Sequence, residues 1–320
     1  MRRLGFGICT FSLSAIVPAV LLGGCNAGMA TNPLASVPGA SSSALQTQSS
    51  PASKIYVADI GSDSVTAYGL DGKLALTITA NINGPFGVDV DKNGKIYVAN
   101  TWPHTAGNVT TYTPGGKQTT PTISDGIAFP VDVVVDKSGK IYVSNLNNYS
   151  GTGYVSTYKP NGTRTTPTIT TGIDGPVGLA VDASGKIYVA NAYDNTVTTY
   201  KPDGTQTTPT ITKGLDAPRG IAVDANGKIY VANQSGGRHN TGSVTTFTPG
   251  GKQTTPTITA GMEATKGVAV DTSGTIYVSN SFGPGNKGGF GSVTSYTADG
   301  KRTTPTITKG IAIAELLTLH

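Results

Sequence analysis

The chain has 320 residues, 13% of them charged and 37% hydrophobic, with 43 glycines and a formal net charge of +5. That length allows a sizeable core and one to three domains. The mild basic surplus, two charges of which are Arg2 and Arg3, comes without any basic run and leaves no case for nucleic acid as a partner.

In chain order, residues 1–24 read as an export signal: a positive start at Arg2 and Arg3, an apolar run, then small residues. Leu22-Gly23-Gly24-Cys25 resembles a bacterial lipobox. The resemblance implies cleavage before Cys25, lipidation of its thiol and attachment to the cell envelope through that lipid. Asn26 after it resembles an outer-membrane sorting context, provided the host is Gram-negative. A transmembrane anchor is the alternative, but the apolar run is broken by Pro18 and is short for a bilayer. The only other cysteine, Cys9, lies inside the signal, so no disulfide is expected. Residues 25–53 carry Cys25 and a stretch rich in Ser, Ala, Thr and Pro, which reads as a flexible tether.

From Lys54 to His320 the chain is one repeat array. "GKIYVAN" at 94–100 returns in near copies whose Ile falls at 55, 96, 141, 187, 229 and 276, a period of 41–47 residues. A period in the forties with four short strands per unit predicts propeller blades. In the unit from Pro176, "VGLAV" predicts the inner strand and "DASGK" a tight turn. "KIYVAN" predicts the second strand, "NTVTTYKP" the third, and "TTPTIT" the outer one. Proline at 209 lacks a ladder donor, which places that strand at a sheet edge. The array begins and ends in mid-unit. Leu317 and Leu319 align with Ile221 and Val223, so the C-terminal strand is expected to complete the first blade. The prediction is therefore an all-β, six-bladed β-propeller of four-stranded antiparallel blades over 54–320, closed by its last strand and monomeric.

From the third strand of one unit to the second strand of the next, the chain length is almost constant. The loop after the second strand is not. Length variation on one face of a repeat protein marks a binding face. The candidate binding residues there are Trp102, His104, Tyr149, Arg238, His239, Phe282 and Phe290, aromatic and polar groups on Gly-rich loops that suit sugar or peptide recognition. The Asx at the end of each second strand (Asp59, Asn100, Asn145, Asn191, Asn233, Asn280) reads as a local backbone cap rather than a ligand ring. The D-x-[NS]-G-K segments read as turns, since they lack the acidic ligands of a calcium loop.

The pattern P-x-G-[VIL]-A-V-D-x-x-G-K-I-Y-V-A-N resembles NHL-repeat propellers and, more distantly, gluconolactonase-like and streptogramin-lyase-like ones. The gluconolactonase resemblance implies a divalent ion held at the channel mouth, partly by the residue between Pro and Gly of the motif. Those positions are Phe86, Val131, Val177, Arg219, Lys266 and Glu315. One carboxylate among two cations and three apolar groups makes a poor oxygen-ligand site. Arg219 and Lys266 instead join the candidate binding residues, and Asp89, Asp132 and Glu315 remain weak metal candidates. Only His104, His239 and His320 could serve as imidazole bases, and no nucleophile signature accompanies them. The reading is an exported, lipid-anchored propeller without a cofactor, binding an extracellular ligand or protein partner and more a binder than an enzyme. A lactonase or lyase is the alternative, and an envelope scaffold a third.

Overall fold

Five of the six repeats are built outward from one aspartate. In the turn "DKNGK", Asp91 Oδ1 accepts the amides of Asn93 and Lys95 at 2.8 and 3.1 Å, and Gly94 takes φ +80°, where a side chain is disfavoured. Asp91 Oδ2 accepts the Tyr97 hydroxyl at 3.2 Å, and the Lys95 ammonium lies 5.4 Å from the Tyr97 ring centre. The same Asp–Tyr bond recurs between Asp136 and Tyr142, Asp182 and Tyr188, Asp224 and Tyr230, and Asp271 and Tyr277. The tyrosine of "GKIYVAN" therefore packs in the core and fastens the preceding turn.

The computed structural model describes residues 53–102, 107–147, 152–234, 242–281 and 290–320. They form six sheets of four antiparallel strands. In the unit read above, the strands are Pro176–Val181, Ile187–Asn191, Thr196–Tyr200 and Gln206–Ile211, paired in that order. Every second strand is buried along its length, because both its faces meet a neighbouring blade. The core is accordingly a set of clusters between blades, such as Tyr56, Ala58 and Ala67 against Val88, Ile96 and Val98. Outer strands alternate exposed threonine with buried isoleucine, as in Arg164–Ile169. Each of the five Thr-Pro bonds there is cis.

Blades are tied to one another by third-strand tyrosines. Tyr112, Tyr158, Tyr200 and Tyr296 donate to the carbonyls of Ala80, Asp125, Thr171 and Ala260 in the connection from the preceding blade, at 2.7–2.8 Å. Tyr68 does the same to Lys309 across the closure, at 3.0 Å.

The ring closes as the sequence predicts. The last strand, Ala314–Leu319, pairs with Lys54–Asp59, with Leu319 opposite Ile55 and Leu317 opposite Val57. Asp59, fully buried, accepts the backbone amides of Ala312 and Ile313, each at 2.8 Å, and so clamps the returning chain.

The inner strands line a central channel of about 340 Å³. Two carboxylates bridge neighbouring inner strands along its wall as straps. Asp89 accepts the Val135 amide at 2.7 Å and the Thr318 hydroxyl at 2.9 Å; Asp132 accepts the amides of Val133 and Leu179 at 2.9 and 2.8 Å. Burial pushes the Asp132 carboxyl up to about 8 and the Asp89 carboxyl up to about 6, with these hydrogen bonds offsetting part of the rise. Both folded-state values lie above the ordinary 3.8, so the protonated forms stabilise the fold. That contribution is complete below about pH 4, and it is lost through about pH 6 for Asp89 and about pH 8 for Asp132. We expect the unfolding free energy, and with it the melting temperature, to fall from pH 4 to pH 8, by about 1.4 kcal/mol per pH unit for each carboxyl that is protonated in the fold and ionised in the unfolded chain. Asp132→Asn should flatten the pH 6–8 part of a calorimetric profile, and an unaltered profile in that variant would refute the assignment.

Candidate binding face

The loops after the second strands and the connections into the inner strands emerge on the same side of the ring. The Asx residues organise this side. Asn100 accepts the Asn83 amide at 3.1 Å, and Asn145, Asn191, Asn233 and Asn280 accept those of Ala128, Asp174, Asp216 and Glu263. Their amide groups donate to a third-strand hydroxyl, as Asn100 does to Thr110 at 2.9 Å. The structural reading of these residues holds, but the partner differs from the expected local cap. Each of the five asparagines staples its strand to the incoming connection 17 residues upstream, a pairing created only when the blade folds, whereas Asp59 caps Gly61 and Ser62 locally as well as accepting Ala312 and Ile313.

Two residues beyond the Asx, the chain presents aromatic rings. Trp102 is 43% exposed, and its ring fills the space above Gly84, where a Cβ would stand 1.4 Å from Cδ1. Tyr193, 47% exposed, covers Gly175 in the same way, with a Cβ position 2.5 Å from its ring. Both glycines take positive φ, +57° and +61°. The loops are matched by backbone bonds from Thr101 to Gly84 and from Ala192 to Gly175, each 2.9 Å. Each ring therefore packs against a glycine that leaves room for it and remains partly exposed. Tyr193 was not among the sequence candidates. Its register with Trp102, two residues after an Asx, was the available signal.

Phe290 is 70% exposed and borders a hollow with Asp59, Ile311 and Ala312 at the closure of the ring. Among the described residues, exposed large apolar side chains fall at Trp102, Tyr193, Phe290 and Ile313 on this side, and at Leu70 and Leu74 on the opposite hairpin face. His104, Tyr149, Arg238, His239, Phe282 and Cys25 lie outside the described residues.

At the centre of this side, the residues between Pro and Gly of the motif surround the channel mouth. Lys266 donates to Glu315 Oε1 at 3.1 Å, and both are buried. Desolvation lowers the Lys266 pKa, Glu315 raises it, and the Arg219 charge lowers it further. Arg219 Nε is enclosed and has no hydrogen-bond acceptor among the described residues. Phe86, Val131 and Val177 complete the ring and pack with Phe129, Leu146 and Ala192. Asp89 and Asp132 belong to the channel straps rather than to this mouth. Among the described residues no group of three or more His, Cys, Asp or Glu could hold a metal ion. With its one carboxylate already paired to an ammonium, the mouth does not fit the divalent ion implied by the gluconolactonase resemblance.

Residues 126–266 match the family model described as SMP-30/Gluconolactonase/LRE-like region. The chain is similar in fold to one in the crystal structure of a nidogen/laminin complex, at 17% identity and TM-score 0.64, over 83% of this chain and 98% of that one. A Bacteroides caccae protein of unknown function is similar at 12% identity and TM-score 0.65, with the same coverage. A putative gluconolactonase is similar at 21% identity and TM-score 0.54, over 70% of this chain and 80% of that one. No curated protein matches significantly. The protein is a six-bladed β-propeller, and residues 126–266 of it are similar to that family's model.

Proposed function

We propose that this propeller binds an extracellular ligand or protein partner through the face carrying Trp102, Tyr193 and Phe290, and that this recognition, not turnover, is its task. The observation that carries the reading is the pair of partly exposed rings packed against glycines at equivalent positions of two blades. An aromatic ring held against the backbone, partly exposed and with little rotamer freedom, suits a saccharide or a peptide side chain. The Leu22–Cys25 motif supports presentation on the cell envelope through a lipid at Cys25.

The test is a glycan and peptide array probed with the chain and with Trp102→Ala and Tyr193→Ala. Each variant should lower capture at least about tenfold, the weight of one good aromatic contact, with its melting temperature retained. Capture unchanged in both variants would move the site elsewhere.

A second reading, hydrolysis of a lactone, is favoured by the gluconolactonase-like match over 126–266. It would be supported by sugar-lactone turnover that chelators abolish.

A further inference from the structure

We propose that the hairpin face, opposite the aromatic ledges, docks on an anionic phospholipid bilayer, with Leu70 and Leu74 entering the bilayer interface. This goes beyond ligand recognition and shares with it only the placement of the chain at the cell envelope.

The turns on this side end at one level of the ring, because every blade closes them with the same backbone bonds. Asp182 N–H donates to the Lys186 carbonyl at 3.0 Å and Lys201 N–H to that of Thr205 at 2.8 Å, and the other blades repeat both. In the first blade His320 N–H donates to the Lys54 carbonyl at 3.0 Å in place of the first of these bonds. The chain therefore enters the propeller on the hairpin face. A lipid carried at Cys25 would hold the ring from this side.

The two sides of the ring are oppositely charged. The eleven continuous turns of the hairpin face carry twelve lysines and eight aspartates. The connections of the other face carry, among the described residues, two lysines against five aspartates and one glutamate. Eight of the twelve lysines are exposed, and among the described residues only Lys73 and Lys301 of these eight make ion pairs, with Asp71 and Asp299. Five of the eight aspartates are half-buried and already accept turn amides. A face with such an excess of exposed ammonium groups is drawn to a phosphate-bearing surface.

Charge alone would fit any polyanion, and the leucines select a bilayer. Leu70 and Leu74, 37% and 49% exposed, flank the tip of the first blade's hairpin. In the register set by the closing bonds, the other blades place Pro or Ala where Leu70 stands and Gln or Arg where Leu74 stands. The departure from the repeat falls in the blade where the chain enters. The next blade's hairpin packs on the same outer strand, with a Cβ position at Gly116 3.1 Å from Leu76 Cδ1, and carries the exposed Lys117. Exposed leucines among lysines suit an interfacial contact, in which apolar side chains enter the headgroup boundary and ammonium groups meet phosphates. A flexible tether raises the local concentration of the bilayer without choosing a face, and the leucines and lysines make that choice. Docked in this way, the ring turns Trp102 and Tyr193 away from the bilayer.

The test uses the full chain with Cys9→Ser and Cys25→Ser, and a polarity-sensitive dye on Leu74→Cys or, on the other face, on Lys213→Cys. Each is mixed with vesicles of phosphatidylglycerol or of phosphatidylcholine. The Leu74 dye should shift to the blue on phosphatidylglycerol alone, and the Lys213 dye should report water on both lipids. Added to the Leu74→Cys chain, Lys117→Glu with Lys159→Glu should raise the lipid concentration for half the shift at least about tenfold, with the melting temperature retained. Molar salt should do the same. Attachment through residues 1–25 alone would leave both dyes in water, which would overturn the docking while keeping the anchor. Shifts of both dyes, equal shifts on the two lipids, or indifference to the charge reversals would also overturn it. A silent Leu74 dye would leave the leucines to a protein partner instead.

Discussion

Deleting residues 311–320 is expected to convert a cooperatively folded propeller into an aggregating or molten species. The segment supplies the inner strand of the first blade, Ala314–Leu319, and buries Ala314, Leu316 and Leu317. It also takes both backbone bonds that join Lys54 to His320. Without it, Ile55 and Val57 present an unpaired inner edge, and Asp59 is left buried with half its donors gone. Each lost buried leucine costs about 2–5 kcal/mol, and the stranded carboxylate adds to this. The total rivals the whole stability of an ordinary domain, about 5–15 kcal/mol. Melting and light scattering decide it: a truncated chain that stays monomeric with an unshifted melt removes closure as the source of stability. Asp59→Ala, which keeps the strand and deletes the clamp, should fall between the two.

Gly178→Ala is expected to destabilise by about 2 kcal/mol or more, a fall of about 4–8 °C in melting temperature for a domain of this size. Backbone strain is not the reason, since Gly178 is absent from the positive-φ residues. The added methyl would lie 2.1 Å from the Arg219 carbonyl, a backbone atom that moves only if the neighbouring inner strand moves. Gly115→Ala is the control. Its nearest neighbour, Thr113 Oγ1, is 4.0 Å away, and the change should stay within about 0.5 kcal/mol. Equal effects in chemical denaturation would show that the inner strands do not need their close approach. Because Gly178 abuts the Arg219 backbone, the same variant should also disturb the channel mouth.

The frame was legible because its signals are local and written several times. Asp, Gly, Ile and Tyr recur at fixed offsets, so the turn, the second strand and their period could be read without a fold. Closure was legible for the same reason: Leu317 and Leu319 keep the inner-strand spacing and meet Val57 and Ile55 as that spacing requires. The binding face was only half legible. Loop length identified the side of the ring, but Tyr193 passed unnoticed because its loop is among the shortest, and length was the signal being read. The partners of the five asparagines were missed because they lie 17 residues upstream, across a connection that only blade formation brings back.

By itself, then, the sequence determined the number of blades, the strand order and the rim prolines, since each follows from a pattern of period two or a period in the forties. Tertiary structure alone decided what the irregular positions do. Asp89 and Asp132 became straps because neighbouring inner strands offer them amides. Lys266 and Glu315 pair with each other, while the enclosed Arg219 Nε–H meets no acceptor among the described residues. Residues tens of positions apart meet at those points only when six wedges close into a ring, and no spacing along the chain records which neighbour reaches a shared partner first.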